Sequence, residues 1–494
     1  MSKINSSEPL SDRDIELAST GLAGQAELLA KGSVSAAELV DLSLRRIAAT
    51  QSTLNAFRVV CEEEARAEAE AADRRLADGG DESAPLLGVP IAIKDDVDLA
   101  GHTTPFGCAG EYPPAREDAE LVKRLRKAGA IIVGKTNAPE VGQWHFTESP
   151  EFGATRNPWN TDHTPGGSSG GAAAAVAAGV VPAAIGSDGA GSVRIPAGWT
   201  GLVGLKPQRG RISTWPDAEA FYGLTSFGPL ARSVGDAALL LDAVTGNREG
   251  DLHRPPAPDE PFAVATAREP RRLRIAVSLS TPFGLTSKVD PEVRAATERM
   301  ANRLADLGHE VVWEDPSYGL VGLGLVARGM PGVHAWLENH VPANAPLESR
   351  TRVHGRFGKA LSGPPLRAAR AAEPAMSQRI GEIFQRVDVV MTPTTAGLAP
   401  RIGDLDGRGY WRTSTVASST CPFAFVWNVT GWPGLNVPAG LNSNGVPIGV
   451  QLLGHQNEEA KLLRLGAQLE AQGTEPSGGA IVRQLLGAPE AAAA

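Results

Sequence analysis

The chain has 494 residues, a length that predicts a large buried core and, at roughly 150 residues per domain, about three domains. Its 47 basic and 56 acidic residues give a formal net charge of −9, which does not favour a nucleic acid or an anionic membrane surface as a partner. The three cysteines form neither a disulfide framework nor a CxxC metal site, and we find no signal peptide or membrane-spanning stretch. We therefore expect a cytoplasmic globular protein.

The first third of the chain alternates helix and strand patterns. Ser35 begins a capping box and a helix with an apolar face. Further elements follow in the order strand 56–61, helix 62–78, strand 87–93 ending at Lys94, helix 118–127 and strand 131–133. This alternation predicts βαβ units, and hence an α/β protein with a large, mostly parallel or mixed sheet flanked by helices.

The remaining chain is less regular. A helix of small residues is predicted over 172–178, and the segment 180–210 reads as buried backbone. The Pro-rich, charged stretch 247–272 predicts a surface excursion, and 319–365 shows only weak periodicity. The low-complexity tail 473–494 is expected to be mobile. Additional elements are predicted as strands 274–277, 311–313, 387–391 and 448–453 and a helix from Asp290 to Gly308.

Two glycine-flanked serine segments are the most informative feature of the sequence. Gly166–Gly171 contains Ser168 and Ser169, and a second segment leads through small residues to Ser192. Consecutive small residues leave backbone N–H groups free to point at one place, which an oxyanion hole requires. The first segment also fits G-x-S-x-G with Ser169 as nucleophile, but the polar, Pro-bearing stretch before it lacks the buried strand that a nucleophile elbow needs.

A serine nucleophile needs a base, and Lys94 is the candidate because it ends an apolar run. Lysine acts as a base only where burial lowers its pKa. The neighbouring Asp95 and Asp96 would instead suit an exposed strand end. Considered together with the two serine segments, the catalytic interpretation is favoured.

Several ordered blocks resemble the amidase signature family. They are Gly88–Asp95, Gly134–Glu140, Asn157–Asn160, Gly166–Gly171, Gly186–Pro196, Gly201–Pro207, Gly228–Ser233 and Pro447–Gln451. The resemblance spans roughly residues 15–470 and implies one large domain over 1–472, in place of the three suggested by length, with a variable substrate-side region near 315–386. It also implies an enzyme that acts on a small-molecule amide. No His/Cys/Asp cluster has metal-ligand spacing and no GxGxxG follows a strand, so we expect neither a metal nor a cofactor. A homodimer is compatible with the sequence.

The family resemblance implies a Ser–cis-Ser–Lys triad. Ser192 is then the nucleophile, Ser168 the bridging serine after a cis peptide, and Lys94 the base, with Ser169 orienting the triad. The oxyanion hole would be formed by the N–H groups of Gly189, Ala190, Gly191 and Ser192. This chain has Asp-Gly-Ala-Gly-Ser where the usual signature has Asp-Thr-Gly-Gly-Ser, and the Ala190 methyl group disfavours positive φ. Asp188 and Arg194 are interpreted as a structural pair.

The substrate side is predicted from two segments. Gly142, Gln143 and Trp144 follow a family block whose continuation borders the substrate in relatives. Phe423 and Trp427 belong to an alternating aromatic run, which predicts either the core of a half-buried strand or an aromatic pocket. Neither segment offers a charged anchor, which favours neutral apolar or aryl substrates.

The leading hypothesis is an amide hydrolase that forms an acyl-Ser192 intermediate and releases an acid and an amine or ammonia. The resemblance extends to enzymes that cleave anilides (aryl acylamidases) and carbamates (urethanases), and esters are also chemically accessible. The alternative is the amidase subunit of a glutamine-dependent tRNA amidotransferase, whose signature usually continues Arg-Gln-Pro where this chain has Arg194-Ile195-Pro196. An inactive binding protein is disfavoured by the intact Lys94, Ser168 and Ser192.

Overall fold

An 11-stranded mixed sheet organises the protein in the computed structural model, which describes residues 10–81, 83–282, 287–473 and 482. The strands are β1 Phe57–Val60, β2 Pro90–Lys94, β3 Ile131–Thr136, β4 Glu148–Ser149, β5 Gly153–Ala154, β6 Ala183–Asp188, β7 Val203–Lys206, β8 Ser226–Ala231, β9 Arg274–Val277, β10 Glu310–Trp313, β11 Val389–Pro393, β12 Gly434–Leu441 and β13 Pro447–Leu453. The sheet order is β1-β3-β2-β6-β8-β7-β12-β13-β11-β9-β10, and β4 pairs separately with β5. The predicted α/β class with a large mixed sheet is confirmed.

Helices cover the sheet. They are α1 Asp12–Ser19, α2 Leu22–Ala30, α3 Ala36–Leu54, α4 Glu62–Ala77, α5 Glu120–Lys127, α6 Gly170–Ala177, α7 Arg194–Thr200, α8 Val234–Val244, α9 Phe262–Thr266, α10 Pro291–Asp306, α11 Val321–His340, α12 Ser349–Leu361, α13 Pro364–Gly381, α14 Tyr410–Thr420, α15 Val426–Val429 and α16 Glu459–Ala471. Short 3-10 turns lie at Glu140–Gly142, Phe221–Gly223 and Glu382–Gln385. The predicted cap of α3 is present, because the Ser35 side chain accepts a hydrogen bond from the Glu38 N–H.

The small residues of α6 allow it to approach the sheet closely. Every residue of the helix is buried. A Cβ at Gly171 would lie 2.5 Å from both the backbone oxygen of Ala56 and the backbone nitrogen of Asn137, so only glycine fits there. This close packing brings the start of α6, and the serine loop before it, to the ends of β2 and β6.

Three segments differ from the sequence-based expectations. The stretch 319–365 with weak periodicity contains the long helices α11 and α12. The Pro-rich excursion contains α9, whose Phe262 and Ala265 are buried against the core. The predicted mobile tail lies outside the described residues except for Gly473 and Val482, and the Val482 side chain is buried in the main core.

In the described ranges, no helix has the length and apolar character needed to cross a membrane.

Candidate active site

Lys94 and Ser187 are neighbours because the strands that carry them run parallel. β2 pairs with β6 at Ile93 and Ile185, so the carboxyl ends of the two strands meet at the same edge of the sheet. Lys94 is fully buried there, and its Nζ donates a hydrogen bond to Ser187 Oγ at 2.7 Å. The strand pairing therefore fixes a buried amine beside a hydroxyl group.

The same amine contacts the serine predicted to bridge the triad. Lys94 Nζ lies 2.6 Å from Ser168 Oγ. The Gly167–Ser168 peptide is cis. A Cβ at Gly167 would lie 2.7 Å from the carbonyl oxygens of Trp144 and Phe146, so a side chain at this position would displace the loop. The structure thus brings Lys94 and Ser168 into hydrogen-bond contact.

Ser169 links this loop to the loop that carries Ser192. The Ser169 N–H donates to the Ser192 carbonyl oxygen at 3.1 Å. Its hydroxyl donates to the Ser187 carbonyl oxygen at 3.1 Å and accepts from the Ser187 N–H at 3.2 Å. These three bonds hold the two serine loops in one fixed arrangement.

The loop 189–192 presents unpaired backbone donors. Gly189, Ala190 and Ser192 are only partly buried, and no described residue accepts a hydrogen bond from their N–H groups. The Gly191 N–H instead donates to Asp188 Oδ1 at 2.7 Å. This differs from the expectation that Gly191 contributes to the oxyanion hole, and it leaves the N–H groups of residues 189, 190 and 192 available for a ligand oxygen.

The alanine in this loop causes no backbone strain. Positive φ within 189–192 occurs at Gly191, at 118°, and not at Ala190. A Cβ at Gly191 would lie 2.6 Å from the Ala424 Cβ, so this position requires glycine for both reasons. The departure from the usual signature at Ala190 is therefore compatible with the loop.

Asp188 and Arg194 form the predicted structural pair. Both side chains are fully buried, with Arg194 Nε 2.9 Å from Asp188 Oδ2 and Nη2 3.0 Å from Oδ1. Asn428 Nδ2 also donates to Asp188 Oδ1, at 2.9 Å. Burial alone would raise the pKa of Asp188, but the Arg194 charge and these hydrogen bonds hold it well below its usual range. The pair anchors the loop that carries Ser192.

Asp96 completes the surroundings of Lys94. Its Oδ2 lies 3.5 Å from Lys94 Nζ and accepts a hydrogen bond from the Ser187 hydroxyl. Burial lowers the pKa of Lys94, and the Asp96 carboxylate opposes that shift. Asp95 points elsewhere, to Arg58 Nε at 2.6 Å. The sequence did not indicate these contacts of Asp96 and Ser187, although Asp96 directly follows the block Gly88–Asp95 and Ser187 lies within the block Gly186–Pro196.

Gly142 is the predicted substrate-side residue that lies nearest the triad. A Cβ there would lie 3.0 Å from Ser168 Oγ and 2.4 Å from the Phe106 ring. Gln143 is turned away, and its Nε2 donates to Thr351 Oγ1 at 2.6 Å. Trp144 is buried, with its ring stacked on Phe146 at 6.2 Å between centroids.

The late aromatic run is fully buried but is not a strand. Phe423 lies in a turn before α15, and Trp427 lies within α15. Trp427 packs in a core cluster and its indole N–H donates to the Gly454 carbonyl oxygen at 2.8 Å. Neither residue lines the cavity that contains Asp96 and Phe106. The predicted strand is wrong, whereas the core-packing interpretation of Trp427 is confirmed.

A small cavity of about 70 Å³ opens beside the triad. Its inner end includes Asp96 and Phe106, and the Phe106 ring centroid lies 5.1 Å from Lys94 Nζ. Thr225 also lines it, and a Cβ at Gly189 would lie 2.7 Å from Thr225 Oγ1. The cavity therefore reaches both the buried lysine and the loop of unpaired N–H groups. No sequence motif identified Phe106 or Thr225, because only the fold brings these segments together.

Comparisons with known proteins point to one family. A family model described as Amidase matches residues 38–463. AmiA2 of Mycobacterium tuberculosis, whose name places it among the amidases, is 54% identical over 445 residues, covering 90% of this chain and 91% of AmiA2. The 6-aminohexanoate-cyclic-dimer hydrolase of Paenarthrobacter ureafaciens is 35% identical over 474 residues, covering 90% of this chain and 93% of that enzyme.

Solved structures extend the likeness to the whole fold. A 6-aminohexanoate cyclic dimer hydrolase in complex with its substrate superposes with a TM-score of 0.86 at 34% identity, covering 95% of this chain and 99% of the other. A bacterial aryl acylamidase of the amidase signature family gives 0.83 at 25% identity, covering 95% and 99%. The names of these relatives do not favour the tRNA amidotransferase alternative. The chain belongs to the amidase signature family and is a hydrolase of amide C–N bonds.

Proposed function

We propose that this amidase cleaves its substrate through Ser192 as nucleophile, Ser168 as proton bridge and Lys94 as base. The hydrogen bond of 2.6 Å between Lys94 Nζ and Ser168 Oγ carries this proposal. It is supported by the Ser169 N–H, which bonds the Ser192 carbonyl oxygen at 3.1 Å and so ties the nucleophile loop to the loop of Ser168.

Lys94 suits the role of base because it is fully buried. Desolvation lowers its pKa and favours the neutral amine, whose lone pair can accept a proton. Ser187 and Asp96 hold the amine from the side that Ser168 does not occupy. The lysine is thus positioned by three groups before any substrate binds.

In the first half-reaction, Ser192 Oγ attacks the substrate carbonyl carbon. The Ser192 proton passes to Ser168 Oγ while the Ser168 proton passes to Lys94 Nζ. The carbonyl electron pair moves to its oxygen, which the N–H groups of Gly189, Ala190 and Ser192 stabilise. Ser168 then gives its proton to the leaving nitrogen and regains one from Lys94 as the C–N bond breaks.

The second half-reaction releases the acid. Water attacks the acyl-Ser192 ester, and its proton passes through Ser168 to Lys94. The C–O bond to Ser192 breaks as Ser192 Oγ recovers a proton from the relay. Enzyme and carboxylic acid are restored, and no cofactor enters the balance.

The substrate is proposed to be an amide with an apolar or aromatic body. Phe106, Phe221 and Trp336 line the cavity beside Lys94 and support this choice. Aryl anilides, carbamates and esters present the same acyl carbon to Ser192. Trp144, Phe423 and Trp427, which the sequence suggested for the pocket, are buried outside this cavity.

The purified chain should be assayed alone on a panel of amides, anilides, carbamates and esters, and on glutamine. Hydrolysis of an anilide such as acetanilide or its longer acyl homologues, abolished by Ser192→Ala, is the expected result. Turnover restricted to glutamine would favour the amidotransferase alternative. Turnover by Ser192→Ala at the wild-type rate would overturn the proposed nucleophile.

A further inference from the structure

The cavity beside Lys94 is placed to receive part of the substrate. Asp96 at its inner end lies 3.5 Å from Lys94 Nζ, and Thr225 lies against Gly189 of the donor loop. We expect an amide whose carbonyl oxygen sits on the loop 189–192, with its carbon at Ser192, to extend one of its substituents into this space. What lines the cavity therefore selects the substituent.

Aromatic rings form one wall. The Phe106 and Trp336 centroids are 5.1 Å apart in an edge-to-face arrangement, and Phe221 stacks on Trp336 at 6.2 Å. Trp336 belongs to α11, within the region expected to be variable and substrate-facing. The faces of aromatic rings attract organic cations as well as apolar groups.

Carboxylates line the cavity as well. They belong to Asp96, Asp98 and Asp217. Among the described residues, neither Asp98 nor Asp217 forms a direct ion pair with a lysine or arginine, although Asp98 and the Lys135 amine interact electrostatically. Burial raises the pKa of Asp217, and the negative charge of Asp98 raises it further, while the facing His340 acts in the opposite direction. Like charges held together in a half-buried space favour a bound cation.

An independent observation at the inner end also points to a ligand. The Asp96 side chain is only 6% exposed. Its Oδ2 bonds Ser187, but its Oδ1 is buried with no hydrogen-bond partner. A buried carboxylate oxygen without a donor is costly, and a ligand N–H would satisfy it.

The described side chains favour an organic cation over a metal ion as the ligand of these carboxylates. In the described part of the chain, no group of three or more His, Cys, Asp or Glu side chains is arranged to hold a metal ion. The cavity volume of about 70 Å³ accommodates an ammonium group with a short stretch of alkyl chain. The aromatic rings would contact the methylene groups of such a ligand, and the carboxylates would accept hydrogen bonds from its N–H groups.

We infer that this cavity binds a protonated aliphatic amine carried by the amide substrate, an inference that rests on the proposed function. The substrate class is thus an amide with an amine at the end of an alkyl chain. This differs from the sequence-based expectation of a neutral substrate, because Asp98 and Asp217 lie outside the segments 141–146 and 423–427. The charged anchor comes instead from Asp98 and Asp217.

Two matched substrate pairs test the inference at pH 7.5. The 4-nitroanilides of 6-aminohexanoic and heptanoic acid compare a charged with a neutral acyl chain of equal length. N-(4-aminobutyl)butanamide and N-pentylbutanamide do the same for the leaving group. We expect the amine-bearing member of at least one pair to have a kcat/KM about tenfold higher, as a charge-assisted contact allows.

Asp217→Asn and Asp98→Asn should each reduce that preference, and the double variant should abolish it. Asp259→Asn is the matched control, because it removes one exposed carboxylate outside the cavity and should keep the preference. Equal or faster turnover of the neutral member in both pairs would overturn the inference and leave the proposed function intact. So would a preference that survives the double variant.

Failure to cleave any amide would instead contradict the proposed function. A binding measurement would then show whether the cavity selects an amine. Pentylammonium should slow the labelling of the wild-type protein by a fluorophosphonate more than 1-pentanol does, and Asp217→Asn should remove the difference. Equal protection by the two compounds would show that the cavity does not select an amine.

Discussion

Asp96 Oδ2 lies 3.5 Å from Lys94 Nζ inside a site where the lysine is fully buried. Burial favours the neutral amine and the carboxylate favours the ammonium, so the two effects act on the same proton in opposite directions. Ser187 links the pair by accepting from Lys94 at 2.7 Å and donating to Asp96. The carboxylate therefore sets the pH below which the proposed base is lost.

Asp96→Asn should move the acid limb of the kcat/KM profile to lower pH. A neutral Lys94 is needed, so the rate falls as pH falls through its pKa. Removing the carboxylate lowers that pKa further, and the neutral form persists into more acidic solution. The measurement is a pH series with a chemistry-limited anilide, with Asp259→Asn as a control for net charge. An unmoved limb, or one moved to higher pH, would contradict this relationship.

Ser192→Ala should abolish turnover and labelling by a fluorophosphonate while leaving the fold unchanged. The Ser192 side chain is partly exposed, and only its backbone carbonyl oxygen, which accepts from Ser169, takes part in the loop's hydrogen bonds among the described residues. In the wild type, added hydroxylamine should intercept the acyl group and yield a hydroxamate. Absence of hydroxamate with slow substrates, together with no acyl-enzyme by mass spectrometry, would remove the support for a covalent path.

Lys94→Ala should lower kcat by about 10²- to 10⁴-fold, the range for loss of a general base. Without Nζ, the Ser168 hydroxyl loses its partner at 2.6 Å and the relay has no final acceptor. Lys135→Ala is a comparison variant, because Lys135 is equally buried but contacts Asp95 at 3.2 Å and not the serines. A Lys94→Ala enzyme within a fewfold of wild type, with the Lys135 variant more impaired, would reassign the base.

The sequence located the proposed triad residues more readily than the residues that line the cavity, for a physical reason. Lys94 and Ser168 sit at strand and helix ends marked by local signals, an apolar run and a glycine-rich turn. Asp217 and Trp336 meet in one cavity only through tertiary packing, which no local pattern encodes.

The pattern of apolar residues was misleading in two segments, α11 and residues 423–427. α11 contains Pro331 and several glycines, and its buried Arg328 donates to the Tyr222 carbonyl oxygen at 3.0 Å. A buried charge on a helix face removes the apolar period that identifies helices. Residues 423–427 are all buried, so their alternation marks no exposed face and does not indicate a strand.

Arg194→Met should destabilise the protein by about 3–5 kcal/mol, because Asp188 would remain buried without its cation. The measurement is urea unfolding. Arg271→Met removes an ion pair with Asp388 whose arginine side chain is 76% exposed, and it should cost at most about 1 kcal/mol. Similar losses for the two variants would show that the Asp188–Arg194 pair contributes no more than a surface pair.

Ala190 and Gly191 of the loop 189–192 should differ in their sensitivity to a single methyl group. Ala190→Gly removes a methyl from a position without positive φ, so kcat should stay within about threefold of wild type.

Gly191→Ala adds a methyl group at φ 118°, where its Cβ would lie 2.6 Å from the Ala424 Cβ. We expect a stability loss of about 1–3 kcal/mol for that strain. We also expect at least a tenfold fall in kcat, because the N–H groups of residues 190 and 192 flank the displaced peptide. Urea unfolding and kcat on one anilide measure both effects. A Gly191→Ala enzyme with wild-type kcat would show that the loop tolerates the displacement, and that the donors of the oxyanion hole lie elsewhere.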